Sequence, residues 1–276
     1  MNIIEGGIGV LVVTALSIGA MLWRRRGAPE GSYFSDGDRA SGVFGVLATG
    51  FSVLLGFIVF LSFTTYDASR SGAEEEAIIV GQQFETAQYF EDDLAAELTG
   101  QLVCYGRSVT GEEWDRLEAG TLGDGINPWG SVMFDTMQDV EPETNADQSA
   151  YDRWMDQTIA REQARNDRVH AVSGVIPSPL WIVLLFVSGV IFLFMLFFAD
   201  SAERATTQAL QMGSVVSVIT TLLLLLVFFN QPFQDDVGGL RPDSMERVLH
   251  IIDESAIATG IAITPPCDDR GRPFDA

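Results

Sequence analysis

The residues best suited to chemistry are two cysteines that lie far apart in the chain. Cys104 and Cys267 are the two cysteines of the 276-residue sequence. In an oxidising compartment they could form a disulfide that ties the C-terminal tail to the helical region around residue 104. The alternative is a pair of free thiols, one of them buried in a helix. The sequence alone leaves both interpretations open.

Two histidines have acidic residues one helical turn away, which is a spacing that metal ligands use. Asp167 precedes His170, and Asp253 and Glu254 follow His250. A zinc site needs a third or fourth ligand, and nothing in the sequence indicates one. In a chain with 38 acidic residues such neighbours are expected by chance. We therefore interpret both as surface histidines and predict no metal and no cofactor.

An acidic run at Glu74, Glu75 and Glu76 offers a second kind of chemistry. In a symmetric oligomer such carboxylates could form an acidic vestibule that concentrates cations at the mouth of a pore. The alternative is a solvated helix face. The sequence contains no phosphate-binding glycine loop, nucleophile elbow or zinc-protease helix. We therefore predict that the protein is not an enzyme.

The cysteines, histidines and acidic residues must be positioned by a scaffold that includes four apolar stretches. Each stretch is about 20 residues long, which is the length of a helix that crosses a bilayer. They are Ile3–Trp23, Gly42–Thr64, Pro179–Ala199 and Gly213–Phe229. The sequence thus predicts an all-α membrane protein with four transmembrane helices in two hairpins and a helical extracytoplasmic insert between the second and third. The predicted domains are a first hairpin (1–64), an acidic helical insert (65–176), a second hairpin (177–229) and an acidic tail with one short helix (230–276).

Two of these stretches carry regular small or hydroxyl residues. Ala48, Ser52 and Gly56 recur every four residues and predict a helix-packing face, because small residues let helix backbones approach closely in lipid. The fourth stretch carries a hydroxyl stripe, which could pack against another helix or line a pore. Its residues are Ser214, Ser217 and Thr221. The middle of each stretch lacks ionisable residues, which argues against a proton-driven transporter.

The net charge limits which partners the protein can bind. The chain has 38 acidic residues against 16 basic ones, a formal net charge of −22, and every basic residue is arginine. The segment Thr65–Ile176 alone holds 23 acids and 7 arginines. Such a surface repels polyanions, so we exclude nucleic acid as a partner. The lipid bilayer is the partner that the sequence requires.

The arginines also predict an orientation. Arg24–Arg26 directly follow the first apolar stretch, whereas Met1–Gly7 contains no base. Short cytoplasmic loops are rich in arginine, so we expect both termini and the insert outside the cell and the first stretch retained as an anchor. Three arginines before the third stretch suggest the opposite, but long segments translocate largely regardless of charge. They are Arg161, Arg165 and Arg168.

The insert and the tail have helical periodicity. Leu94, Leu98, Leu102, Tyr105 and Val109 are spaced as one buried helix face. Further helices are predicted at Tyr66–Gln88 (continuing the second apolar stretch), around Trp114, and at Trp129–Met137, Asp147–Ser173 and Ser244–Ala258, with a loop at Gly120–Asn127. The last dozen residues contain Pro265-Pro266 and Gly271, and we expect them to be loosely ordered.

Several short segments, in this order, resemble the bestrophin-like domain family of bacterial membrane proteins. They are Gly56 to Ala77 with its Glu76-Ala77 pair, Tyr105 with Val109 and Glu113-Trp114, Arg161–Arg168, Pro179-Leu180-Trp181 and Asn230–Phe233. The resemblance covers nearly all of the chain after the first apolar stretch. It implies a multi-pass protein of a prokaryotic cell membrane. This chain has Asn230-Gln231 where the family leads us to expect an aspartate followed by a base.

Two hypotheses for function follow. Bestrophins are oligomeric anion channels, so the resemblance implies a homo-oligomeric, channel-like assembly, and the acidic insert would favour cations over anions in its pore. The alternative is a non-conducting envelope protein whose extracytoplasmic helical domain binds a protein partner or senses a condition. The oligomeric state separates the two, since four helices in one chain barely enclose a pore.

Overall fold

The computed structural model describes residues 3–121, 127–235, 237–260 and 262–274, and helices make up most of them. Residues 122–126 of the predicted loop at Gly120–Asn127 lie outside this description. The α-helices are α1 (Ile3–Arg25), α2 (Gly37–Ala87), α3 (Asp92–Ser108), α4 (Trp114–Glu118), α5 (Pro128–Gln138), α6 (Asn145–Val169), α7 (Ser178–Phe197), α8 (Ala205–Asn230) and α9 (Asp243–Thr259). A π-helical turn (Val109–Glu113) links α3 to α4, and a 3₁₀ turn (His170–Ser173) follows α6.

Most of the predicted helices are confirmed, with shifted ends. Helix α2 runs for 51 residues, so the second apolar stretch does continue through the segment predicted at Tyr66–Gln88. Helix α8 begins at Ala205, eight residues before the apolar stretch predicted from Gly213. Its first turns are polar and therefore fall outside an apolar window. They are held by Gln208, whose side-chain amide donates to the backbone oxygen of Asp200 at 2.8 Å.

The chain divides into two units, which we call the apolar unit (Met1–Thr64 and Gly174–Asn230) and the polar unit (Thr65–Ser173 and Gln231–Ala276). The acidic tail thus belongs to the same unit as most of the insert. Four helices of the described chain, α1, α2, α7 and α8, are long and apolar enough to cross a membrane. All four carry many exposed large apolar side chains, as expected where lipid rather than water is the solvent.

Besides its buried apolar clusters, the apolar unit has one close helix contact at a glycine and one side-chain amide that joins two segments. A Cβ atom at Gly213 would lie 3.0 Å from Cδ1 of Ile18, so glycine allows α1 and α8 to pack closely. At the end of α8, the side-chain oxygen of Asn230 accepts hydrogen bonds from the backbone N–H groups of Val175 and Ile176, both at 2.9 Å. Asn230 therefore ties the last turn of α8 to the segment that leads into α7.

The polar unit has a conventional buried core. Leu98, Leu102 and Tyr105 are completely buried on one face of α3, as their spacing predicts. Helix α9 packs against the same helix, where a Cβ atom at Gly106 would lie 2.7 Å from Cδ2 of Leu249. The amphipathic faces of α3 and α9 therefore bury each other.

The expectation of a loose C-terminal segment is wrong. Cys267 is bonded to Cys104, at a sequence separation of 163 residues and with 5.8 Å between their Cα atoms. Nearby, the indole Nε1 of Trp129 donates to the backbone oxygen of Gly271 at 2.6 Å. Gly271 has φ +76° and lies against the backbone of Ser108, where no side chain fits. Prolines and glycines mark irregular structure, but here tertiary contacts fix it.

Candidate functional site

One face of α6 carries polar side chains where a helix of the core would carry apolar ones. A capping box between Thr144 and Asp147 starts this helix at Asn145, two residues before the predicted start. Three residues of that face are buried: Gln157, Arg161 and Arg168. Arginine is rarely buried without a partner, because removing a charge from water costs several kcal/mol. The α6 face therefore needs compensating groups from the elements packed against it.

Glu76 of α2 supplies the first of these groups. The Arg168 guanidinium donates through Nε to Glu76 Oε2 at 2.5 Å and through Nη2 to Oε1 at 3.2 Å, a bidentate pair with both side chains fully buried. The Tyr105 hydroxyl donates to the same Oε1 at 2.6 Å. Helices α2, α3 and α6 thus meet at one carboxylate.

A glycine makes this meeting geometrically feasible. A Cβ atom at Gly72 would lie 2.5 Å from the backbone nitrogen of Arg168 and 2.7 Å from the backbone oxygen of Ala164. Helices α2 and α6 are therefore in backbone contact one turn before Glu76. That contact brings a short carboxylate side chain within reach of a guanidinium on the neighbouring helix.

The π-helical turn after α3 supplies a second carboxylate. Glu113, the last residue of this turn, is buried, and its Oε1 lies 3.1 Å from Arg168 Nη2 and 2.8 Å from Arg165 Nη2. A π-helical turn shifts the direction of the side chains that follow it, and such turns are frequent at functional sites. Here the turn directs Glu113 to two arginines on α6.

Electrostatics reinforce the pairing. Burial alone would lower the pKa of Arg168, but the carboxylates of Glu76 and Glu113 outweigh that effect and raise the pKa above its ordinary value. Burial, followed by the charge of Glu76, also raises the pKa of Tyr105 well above 10.0. Arg168 is therefore charged and Tyr105 neutral at neutral pH. We call Glu76, Tyr105, Glu113, Arg165 and Arg168 the ionic cluster.

The ionic cluster corrects one sequence-based interpretation and supplies residues that the sequence analysis missed. Glu76 cannot belong to the acidic vestibule predicted for Glu74, Glu75 and Glu76, because it is fully buried while its two neighbours are exposed. Glu74 makes an exposed pair with Arg70 at 3.1 Å. The sequence did contain a signal, because Arg161, Arg165 and Arg168 recur at the four- and three-residue spacing of a buried helix face.

The small-residue stripe meets one residue of the hydroxyl stripe in the apolar unit. Ala48, Ser52 and Gly56 on α2 line one groove together with Ser214 on α8. The groove has a volume of about 390 Å³, and most of its other lining residues are apolar. A Cβ atom at Gly56 would meet no atom of the described chain within 4 Å, so this face of α2 is uncovered.

The rest of the hydroxyl stripe lies elsewhere. Ser217 is half-buried and Thr221 is exposed, and neither lines the groove. Ser214 donates to the backbone oxygen of Gln211, and Ser52 to that of Ala48, so these hydroxyls are satisfied within their own helices. A pore or packing role for the stripe stays a prediction.

An acidic groove of about 590 Å³ opens on the polar unit between α3 and α5. Phe90, Leu94 and Val140 provide its apolar part. Seven carboxylates line it: Glu91, Glu97, Asp135, Asp139, Glu141, Glu143 and Asp147. Among the described residues no base contributes to its lining.

Comparison with known proteins identifies the fold. A family model described as Bestrophin-like domain matches residues 11–239. A crystal structure of a membrane protein variant superimposes with a TM-score of 0.66 at 11% identity and covers 93% of this chain and 99% of that one. A variant of a bacterial bestrophin homologue from Klebsiella pneumoniae gives a TM-score of 0.64 at 12% identity, with 91% and 98% covered. No curated protein matches the sequence.

The ionic cluster predicts a sharp difference between two adjacent glutamates. Glu76→Gln removes the charge that compensates buried Arg168, so we expect the free energy of unfolding to fall by about 3 kcal/mol. Glu75→Gln changes an exposed side chain and should cost less than about 0.5 kcal/mol. Chemical denaturation of the purified protein in detergent measures both. Equal effects would contradict a stabilising role for the Glu76–Arg168 pair.

Tyr105 predicts a loss of stability at alkaline pH. Its pKa is raised in the folded protein, so the contribution is complete below the unfolded value near 10.0 and declines as pH rises above it. The difference in unfolding free energy between wild type and Tyr105→Phe should shrink by about 1.4 kcal/mol per pH unit above that point. Denaturant titrations between about pH 9 and 11 provide the measurement. A difference that stays constant over this range would refute the assignment.

Proposed function

Because the chain belongs to the bestrophin-like domain family, we propose that this membrane protein assembles as a symmetric homo-oligomer with a channel-like pore. The observation that carries the proposal is the uncovered small-residue face of α2, formed by Ala48, Ser52 and Gly56. In lipid there is no hydrophobic drive between helices, so association relies on close backbone packing at such faces. A second copy of the chain is the partner that this face fits.

The proposed topology has two transmembrane hairpins, α1 with the first part of α2, and α7 with α8. The polar unit and both termini would face the outside of the cell. Arg24–Arg26 support this orientation because they flank α1 on the side of the short loop. The Cys104–Cys267 link also supports it, since structural disulfides persist outside the reducing cytoplasm.

The charge of the polar unit supports a preference for cations. Thr65–Ile176 contributes 23 acids against 7 arginines, and a field of this sign attracts cations and repels anions. The buried carboxylates of Glu76 and Glu113 are neutralised by arginines, so the exposed acids create the field. Glu74 and Glu75 are among these exposed acids.

The acidic groove favours a second candidate function. Its carboxylates and its apolar part would suit a cationic partner, in agreement with the alternative of a non-conducting envelope protein. In that case the polar unit would bind an extracytoplasmic protein, and the helices of the apolar unit would serve as an anchor. Oligomer formation without conductance would favour this function.

The oligomer is tested at Gly56. Gly56→Leu places a bulky side chain on the proposed contact, and overpacking of about 1–3 kcal/mol per interface should shift the detergent-solubilised protein toward monomer. Gly19→Leu is the matched control, since Gly19 also lies exposed on an apolar helix with no atom within 4 Å of its Cβ position. Light scattering gives the mass of each variant.

Planar-bilayer recordings then test the pore. We expect the wild type to conduct with a reversal potential that indicates cation preference, and Gly56→Leu to lose the current together with the oligomer. A wild type that is monomeric would overturn the proposed assembly, and an oligomer that is silent in every salt would overturn the channel.

Orientation is tested by trapping the cysteines in cells. If the polar unit faces outward, alkylation under denaturing conditions should modify neither Cys104 nor Cys267 until a reductant is added, after which both react. Cys267→Ser is the control, because its remaining thiol should react without reduction. Two reactive thiols in the unreduced wild type would contradict the proposed orientation.

A further inference from the structure

In the core of the polar unit, buried side-chain donors without a hydrogen-bond partner outnumber buried acceptors without one. Among the described residues, five buried side-chain donors there lack a partner, against two acceptors. The donors are Arg161 Nε, Arg161 Nη2, Arg168 Nη1, Trp114 Nε1 and Gln157 Nε2, and the acceptors are Glu113 Oε2 and Gln157 Oε1. An unsatisfied buried polar group costs about 1–3 kcal/mol, and more if it is charged. An excess of donors calls for an additional acceptor.

Arg161 contributes two of these five unpartnered donors. Its side chain is completely buried, and Nη1 donates to Gln83 Oε1 at 2.7 Å and lies 3.7 Å from the sulfur of Met133. The guanidinium carbon lies 4.7 Å from the centre of the Tyr105 ring. Its carboxylate neighbour is Glu162, whose Oε1 is 3.8 Å from Nη2 on a side chain that is 47% exposed.

Arg168, two turns further along the same helix, shows what Arg161 lacks. Arg168 has two buried carboxylates at hydrogen-bond distance, from Glu76 and Glu113. Arg161 has a neutral amide and a half-exposed carboxylate beyond hydrogen-bond distance. The two side chains are equally buried, so their charges require comparable compensation. Among the described residues of the unit, Arg161 therefore has no carboxylate at hydrogen-bond distance.

The surroundings of Arg161 suit a small ligand. Gln157 lies one turn earlier on the same buried face of α6, and its Nε2 is one of the donors without a partner. Gly130, in the first turn of α5, has no side chain and so leaves room for the Glu162 carboxylate beside the guanidinium. A Cβ atom there would lie 3.9 Å from Arg161 Nη2 and 3.3 Å from Glu162 Oε1.

We propose that Arg161 and Gln157 bind a small monovalent anion of the chloride class in the core of the polar unit. Such an anion accepts hydrogen bonds from Arg161 and Gln157 and brings no donor of its own that would need an acceptor. It would also supply a negative charge at hydrogen-bond distance from Arg161. Arg161 and Gln157 are buried, so the anion would bind as part of the fold, whether or not the protein conducts.

The proposal is tested by the anion dependence of stability. Thermal unfolding of the full-length protein in detergent is measured while chloride replaces the larger anion isethionate at constant sodium concentration. A ligand that binds the folded state alone raises Tm, so we expect a saturable rise of about 3 °C in chloride. Arg161→Met should abolish the chloride effect. Arg153→Met, which changes an exposed arginine of the same helix, should preserve it.

Bromide provides a second measurement that needs no variant. Anomalous scattering from wild-type crystals grown in bromide should place an ion within about 3.5 Å of Arg161 Nη2. Equal Tm values in chloride and isethionate for the wild type, or a chloride effect that persists in Arg161→Met, would overturn the proposal. If Arg161→Met fails to fold, the bromide map decides: an ion beside Arg161 supports the site, and its absence there refutes it.

Discussion

The buried pair between Arg168 and Glu76 is the interaction on which the polar unit depends. Its two partners are 92 residues apart and both fully buried, so either charge alone would be highly unfavourable in that place. Three other features of the chain make this pair possible or add to it. Gly72 brings two helix backbones into contact, the π-helical turn directs Glu113 to the same guanidinium, and Tyr105 donates to the shared carboxylate.

Such a cluster contributes more to the uniqueness of the fold than to its net stability. Desolvation of two ions offsets much of their attraction, but any packing that separates them leaves a buried charge without compensation. Alternative arrangements of α2, α3 and α6 are therefore strongly disfavoured. The Cys104–Cys267 link lies in the same core, where it holds the C-terminal segment against α3.

The apolar unit follows a different principle. Its helices are held by close packing, as at Gly213, and by the capping role of Asn230, while the small-residue face of α2 stays uncovered in the single chain. In water an exposed glycine face would need no explanation. In a bilayer it is the kind of surface through which helices associate, and it therefore supports the proposed oligomer.

The sequence by itself determined the helices and the class of protein. Apolar length marked the four candidate spans, and the spacing of Leu98, Leu102 and Tyr105 marked the buried face of α3, because both signals are local and repeat with the period of a helix. The polar start of α8 and the ordered C-terminal segment could not be predicted in this way, since polar first turns and proline-rich segments carry no such periodicity.

Only the tertiary structure decided which charges are partners. Glu74, Glu75 and Glu76 are identical in type and adjacent in sequence, yet Glu76 alone of the three turns into the core and binds Arg168. The same holds for the cysteines, whose 163-residue separation carries no information about distance. Pairings of this kind depend on how helices cross in space, and a crossing is set by close contacts such as that of Gly72, which no local pattern records.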